Sequence, residues 1–479
     1  MDKILTAPIV SAMKKYSADN VTPFHTPGHK HGRGAHKFLR ELLTAEGFRQ
    51  EVSLMDELDD IHAPHSCIKE AQEFAAELWH ADECIFMVNG TTSAVQAMIF
   101  GTLKPGEQIM IPRNAHRSVI AGLILSGAIP IFLPVEYDSE LCLPLNVSVE
   151  TIERAIKNFP NAKAILLVSP NYYGIAADVK KISELAHAAG MLLLIDEAHG
   201  AHLQFSDDLP PSAMDSGADL AAQSTHKLLG SLTQTSMLML KKNFVDAERI
   251  KLAASFLQTT SPNQLLLASL DVARLQMEID GRNLIQSAVN LSRELRSAIK
   301  NLRGLKTFDT IKNFSLDTTK VTVNVQELGL TGQQAEEILR HKLKIQCELS
   351  DAANLLFLIT FADDKSAIAK LIDALKAISN AKCTMRNETT SLIPYCPISL
   401  ATISPRETFY SPVTAVELNK SIGKICAEEV TFYPPGIPLI MPGEKISAQI
   451  VELIQHEKSL GTKIIGASDK TLSTIKVVS

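Results

Sequence analysis

The sequence predicts an α/β fold: a mostly parallel sheet with helices on both faces, followed by a smaller α/β unit and a C-terminal region. Two observations carry that reading. Runs of four or five mostly apolar residues, such as 164–168 and 236–240, alternate with amphipathic helical patterns such as 178–189. Strands that are apolar throughout are buried on both faces, as parallel sheets require. Between the runs lie turns rich in glycine, hydroxyl and charged residues, and in such sheets ligands gather beyond the carboxyl ends of the strands.

Residues 1–35 read as an N-terminal arm. Its segment 22–34 holds two prolines, three glycines and three histidines, which forbids a regular element. Composition leaves open whether this is a flexible basic arm or a functional loop. Ile68, Ala71, Phe74, Ala75 and Leu78 share one face of a helix ending at Trp79. A strand at 84–88 follows, then the turn Asn89-Gly90-Thr91-Thr92-Ser93 into a helix at 94–103. A hydroxyl-rich strand-to-helix turn suits a phosphate at the positive end of the helix, and equally suits plain N-capping.

Further strands are expected at 108–111, 129–133, 164–168, 191–195, 219–223 and 236–240. Gly90, Thr91, His116, Tyr172, Asp196, His199 and Lys227 fall at or just past the carboxyl ends of strands in this reading. A long helix runs from 265 to about 302, interrupted near Gly281. The smaller unit repeats strand and helix: strands at 320–325, 345–349 and 355–360, helices at 331–343 and 366–378. A polar linker at 379–391 precedes the last region. The expected domains are 1–35, the large domain 36–290, the small α/β domain 291–380 and the C-terminal domain 381–479.

At 479 residues and a net charge of −6, the chain has no basic field to attract nucleic acid or an anionic membrane, so a small molecule is the default ligand. The first residues lack a signal-peptide pattern and no apolar run reaches the roughly twenty residues of a spanning helix, which places the chain in the cytoplasm. Seven scattered cysteines without a C-x-x-C pair imply free thiols, with no disulfide framework and no metal site. Asp196-Glu197-Ala198-His199 also spells a helicase box, but no G-x-x-x-x-G-K-[ST] loop accompanies it. Gly32-Arg33-Gly34 lacks the third glycine and preceding strand of a dinucleotide fingerprint.

Asp196 closes a run of apolar residues, where a carboxylate needs a cation or serves as a structural cap. A protonated pyridine nitrogen is one such cation, and pyridoxal phosphate requires an acidic partner there. Lys227 is flanked by hydroxyls at Ser224 and Thr225 and by Leu228-Leu229, a setting that desolvates the amine and favours reaction with an aldehyde. His116, beside Arg113 and Asn114, is either a site residue or a core histidine.

Taken together the motifs resemble the fold-type I, pyridoxal-phosphate-dependent Orn/Lys/Arg decarboxylases, whose large domain is aspartate-aminotransferase-like. They are Phe24–Lys30, Leu58–Pro64, Asn89–Thr92, Arg113–Ser118, Asp196–Gly200, Ser224–Lys227 and Tyr433–Pro438, in the family's order. The length looks like the short branch that includes the biosynthetic arginine decarboxylase of bacilli. The resemblance implies that Lys227 is the Schiff-base lysine for pyridoxal 5′-phosphate, that Asp196 pairs its ring nitrogen, and that His116 stacks on its ring. Gly90, Thr91, Thr92, Ala198, Ser224 and His226 would complete the cofactor site, and Lys227 or a histidine, with His199 the candidate, would return a proton to the product. Thr260 would reach the phosphate of a neighbouring subunit, so a homodimer is implied. His25 and His29 would border the substrate, and Glu444 is the expected partner for its distal cation, with Asp56 and Glu57 behind it.

The implied reaction is decarboxylation of L-arginine to agmatine and CO2 in polyamine biosynthesis, with lysine or ornithine as alternative substrates. An aminotransferase or aldolase would need an arginine for the α-carboxylate, for which Arg406 is available. A non-catalytic cofactor-binding regulator is the third reading. The segment Trp79-His80-Ala81-Asp82 and the pair Ser66-Cys67 depart from the family's usual residues.

Overall fold

The computed structural model describes residues 6–380, 402–433, 437–459 and 463–479. Seven strands form the central sheet: β1 Glu83–Met87, β2 Gln108–Pro112, β3 Ile129–Leu133, β4 Ala164–Val168, β5 Leu192–Asp196, β6 Leu220–Gln223 and β7 Ser236–Leu240. Their order is β1-β7-β6-β5-β4-β2-β3. All pairs from β6 to β3 are parallel, and β7 alone runs antiparallel to both of its neighbours. Register sets Val168 opposite Asp196 and Asp196 opposite Ala222, so the carboxyl ends of β4, β5 and β6 line up.

Helices cover both faces, as successive strand residues point in opposite directions. On one face Leu193 and Ile195 join a core with α1 Pro8–Ala18, α2 Cys67–Leu78, Ile182 and Ala186, and the long helix Gln264–Ile299. On the other, Leu194 and Leu220 pack with Gly90–Thr102, Ser118–Ser126 and Ala247–Leu257. The helix at 90–102 is apolar on nearly every side because it is enclosed by the sheet and these two neighbours.

The N-terminal stretch is not all loop. Ile9, Met13 and Tyr16 of α1 are buried in the main core, and Asp271 and Arg274 of the long helix bond the Ile9 N–H and the Thr6 carbonyl. The long helix bends at Asp280, the one residue within it with non-helical angles. Its neighbour Gly281 permits close packing, since a Cβ there would lie 2.8 Å from the Phe205 ring. Trp79, at the departure from the family pattern, is buried, donates to the Ala201 carbonyl (3.0 Å) and meets Phe205 edge-on.

The smaller unit has a three-stranded antiparallel sheet of β8 Lys320–Asn324, β9 Leu349–Ser350 and β10 Asn354–Leu358, in the order β8-β10-β9. Its own core includes Leu295, Val321, Val323, Leu355 and Leu375. The strand expected at 345–349 is shorter, because Lys344 adopts a left-handed φ of 59° and pairing starts only at Leu349. Gly174 joins this unit to the turn after β4: its carbonyl accepts the Asp317 N–H (2.8 Å), its φ is +85°, and a Cβ would meet the Asp317 carbonyl at 2.8 Å.

The C-terminal region has a further core of Val430, Ile440, Ile450 and Val477. Arg406 binds the carbonyls of Ile124 and Leu125 at the end of helix Ser118–Ser126. Pro434–Gly436 of the proline segment, and the expected linker beyond Asn380, lie outside the described residues. Among the described residues Cys67, Cys84, Cys142, Cys347 and Cys426 are free thiols, and no helix is long and apolar enough to cross a membrane.

Gly174→Ala is expected to destabilise the fold by about 1–3 kcal/mol from the left-handed backbone alone. A thermal midpoint equal to that of the parent would contradict the close approach to Asp317.

Candidate active site

Lys227 sits on the one-turn helix Thr225–Leu228 that follows β6, and Asp196 is the last residue of β5. The Lys227 Nζ lies 3.0 Å from His199 Nε2 and 5.7 Å from the centre of the Tyr172 ring. That ring tilts against His199 with centroids 4.9 Å apart. These groups open onto a cavity of about 290 Å³ that is also lined by Gly90, Thr91, Thr92, His116, Ala198, Ser224 and His226. Asp196 lines it too, so eleven residues singled out from the sequence share one cavity.

Burial lowers the Lys227 pKa, while Asp196 and Glu348 act to raise it and Lys320 adds to the lowering. Burial raises the Asp196 carboxyl, with Lys227 and the Ala198 N–H opposing. One Asp196 oxygen accepts that N–H (3.2 Å), and the other has no partner among the described residues. His199 is driven well below its ordinary range by burial and then by the Lys227 and Lys320 charges, so its ring is neutral. Lys320, itself fully buried, donates to the His199 carbonyl (3.0 Å) and to Asp317 (2.8 Å), and Asp317 also meets His202.

The adjacent Glu197 points away from the cavity. It accepts from the Ala213 N–H and the Gln223 amide, both at 2.7 Å, and burial pushes its pKa up to about 8. Gly200 is required beside it, since a Cβ would stand 2.4 Å from Glu197 Cγ.

At the other wall Gly90 has a φ of +76° and opens a thirteen-residue helix, which therefore begins four residues before the expected start at 94. Asn89 makes no side-chain cap, so plain N-capping does not account for the turn, and the first-turn N–H groups face the cavity end of the helix. The Thr91 hydroxyl bonds those of Ser224 (2.6 Å) and Ser236 (2.8 Å). His226 Nδ1 lies 2.7 Å from the Thr235 carbonyl. Burial first, then Lys227 and Arg117, lowers His116 to about 4. The Ser118 N–H donates to its Nδ1 (3.2 Å), which assigns the ring proton to Nε2.

These residues fit pyridoxal 5′-phosphate. There is a desolvated amine for its aldehyde, a buried carboxylate with an unused oxygen for its ring nitrogen, and an uncapped helix end with hydroxyls for its phosphate.

A family model described as "Orn/Lys/Arg decarboxylase, major domain" matches residues 7–324, and its C-terminal-domain counterpart matches 385–469. The chain belongs to the Orn/Lys/Arg decarboxylase family. It is therefore a pyridoxal-phosphate-dependent carboxy-lyase acting on a basic amino acid. It is 38% identical to the arginine decarboxylase of Bacillus subtilis (strain 168) and 39% identical to that of Bacillus anthracis, covering 98% of this chain and 97% of each relative. The solved structure of lysine decarboxylase A from Pseudomonas aeruginosa superposes with a TM-score of 0.85 at 21% identity, covering 99% of this chain and 81% of that one. That likeness concerns the fold, which is fold-type I.

Four expected site residues lie elsewhere in the chain. Glu444 is fully buried and is taken up by Arg113 (3.0 Å) and the Met441 N–H (2.7 Å), so it is not a free acid facing a substrate. His25 bonds Tyr16 and His29 bonds Glu51, both away from the lysine cavity of this chain. Thr260 is exposed beside Thr259, whose carbonyl meets His62. Asp56 and Glu57 are exposed on a short helical turn. Arg406, bound to helix carbonyls, is not available to grip a substrate carboxylate. Further cavity residues, not expected from the sequence, are Asn114, Ser118, Val168, Pro170, Thr233 and Gln234. Asn114 and Ser118 lie in the same short motif as His116, which was the available signal.

The His116 shift fixes a sign. Folded His116 binds fewer protons than unfolded between about pH 4 and its ordinary 6.5, so stability rises with pH across that window and is lost as pH falls through it. An NMR titration is expected to give His116 a midpoint near 4, and His116→Gln is expected to flatten the stability slope. A midpoint near 6.5 would contradict the buried setting.

Proposed function

We propose that this enzyme decarboxylates L-arginine to agmatine and CO2, as a step of polyamine biosynthesis in the cytoplasm. The observation that carries the chemistry is the Lys227 amine, desolvated beside neutral His199 in a cavity that also presents Asp196. The choice of arginine is supported by the near-full-length likeness to relatives named arginine decarboxylase. Lysine and ornithine are the alternative substrates.

The bound cofactor supplies the sink for the electron pair released with CO2. Asp196 keeps a carboxylate at the cavity floor for the ring nitrogen, its desolvation offset by the cation it meets. Thr91, Thr92, Ser224 and His226, with Gly90 and the helix end behind them, hold the phosphate. Neutral His116 offers a flat ring at the opposite wall. Lys227 Nζ and His199 Nε2, 3.0 Å apart, form the pair across which a proton is held for return to the product carbon. Tyr172, whose ring centre lies 5.7 Å from Lys227 Nζ, and Ala198 line the same cavity.

We read the enzyme as a homodimer in which exposed Thr260 reaches the neighbouring subunit's phosphate. Its exposure in the single chain supports that role.

Purified protein incubated separately with arginine, lysine and ornithine is expected to release CO2 and amine fastest from arginine, with Lys227→Ala abolishing turnover. Equal turnover of all three amino acids would defeat the arginine assignment, and turnover surviving Lys227→Ala would defeat the role of the lysine.

A further inference from the structure

The His199 ring meets Lys227 through Nε2, but its other nitrogen, although buried, has no partner among the described residues. No polar group therefore holds the ring from its far side. Its seating falls to the Tyr172 ring packed against it and to its own backbone. The His199 carbonyl accepts from the Lys320 amine at 3.0 Å.

The surroundings of Lys320 fix that contact. It opens β8, has no exposed surface, and its backbone is held on two sides. Its N–H donates to the Asp317 carbonyl (3.2 Å), and its own carbonyl accepts from Arg296 of the long helix (2.6 Å), which also binds the Phe308 and Thr318 carbonyls. Asp317 aims the amine from 2.8 Å with one oxygen, while the other accepts the Thr319 N–H (3.0 Å) and hydroxyl (2.6 Å). The same turn grips the loop after β5 a second time at His202, whose Nε2 stands 3.2 Å from Asp317 and 3.1 Å from the Thr319 hydroxyl. Gly174 leaves room for the lysine stem, since a Cβ there would lie 3.1 Å from Lys320 Cβ. Segments 172–174, 199–202 and 317–320 thus meet around His199.

We infer that Lys320 is a positioning residue for the reaction: its buried amine, aimed by Asp317, holds the backbone at His199 and so sets the imidazole against Lys227. This rests on the decarboxylase reading above. Lys320 is not among the residues lining the cavity, so it acts through His199. Displacing a reacting group by an ångström costs up to about a hundredfold in rate, whereas a buried ion pair adds little net stability. The effect of the contact therefore falls on turnover. Of the groups that act on His199, Lys227, Lys320 and His202 oppose a positive imidazole and Asp317 favours it.

The test compares the parent holoenzyme with Lys320→Met, which keeps the stem and removes the donor, and Lys320→Gln, which keeps a donor without the charge. Lys320→Met is expected to lower kcat on arginine about tenfold to a hundredfold with KM changed far less, and Lys320→Gln to recover part of the loss. In both, the pH midpoint of the bound cofactor's visible absorbance should move to higher pH, because removing a nearby positive charge favours protonation at Lys227 and His199. Lys320→Met leaves Asp317 buried without its amine. If that variant does not fold, Lys320→Met/Asp317→Asn, which removes both charges, carries the same measurements. A lowered thermal midpoint with kcat and the absorbance midpoint unchanged makes Lys320 a structural residue and overturns the inference. So does a moved absorbance midpoint with kcat unchanged, since the amine would then act by charge alone. A parent enzyme inactive on arginine, lysine and ornithine removes the decarboxylase reading and the inference with it, whereas an active parent with unaffected variants removes the inference alone.

Discussion

The site depends on an amine kept out of water between a carboxylate and an imidazole. Lys227 would be an ordinary surface cation if it were solvated. Enclosed beside His199 and under the influence of Asp196, it has its pKa lowered by burial and partly restored by charge. His199 is unable to hold a proton as a cation there, because burial and two nearby amines oppose it. A neutral imidazole 3.0 Å from a desolvated amine is the setting that an amine reacting with an aldehyde requires.

Keeping His199 in place requires the small unit. Lys320 reaches from β8 to the His199 carbonyl and pairs with Asp317, which also meets His202. Buried ion pairs of this kind add little net stability, because desolvation offsets their attraction. Their geometric effect is to tie β8 to the loop after β5. Gly174 and the Tyr173–Asp351 bond add two more fixed points across the same junction. The C-terminal region acts at the other wall: Glu444 and the Leu439 carbonyl hold Arg113, which precedes the cavity residues Asn114 and His116.

Much of this was legible because apolar runs end where chemistry begins. Asp196 and Lys227 stood out as charged residues at the ends of buried strands, and the sheet register then places Asp196 between Val168 and Ala222. The antiparallel direction of β7 was not legible, since a wholly apolar run carries no sign of direction. Helix α1 has its signal in Ile9, Met13 and Tyr16, which are spaced as one helical face, but the prolines and glycines of 22–34 mask it when 1–35 is taken as one arm. The burial of Glu444 is not legible because its partner Arg113 lies 331 residues away, and no local pattern reports such a bond. Lys320 is likewise not legible as a site residue, because it reaches His199 from a separate sheet.

The claim that Lys227 is the residue bonded to the cofactor is tested most directly by borohydride reduction of the purified enzyme followed by peptide mass mapping. The account predicts a phosphopyridoxyl group on the peptide containing Lys227 and on no other. A label on Lys320 or another lysine, or no label at all on protein saturated with pyridoxal 5′-phosphate, would contradict it.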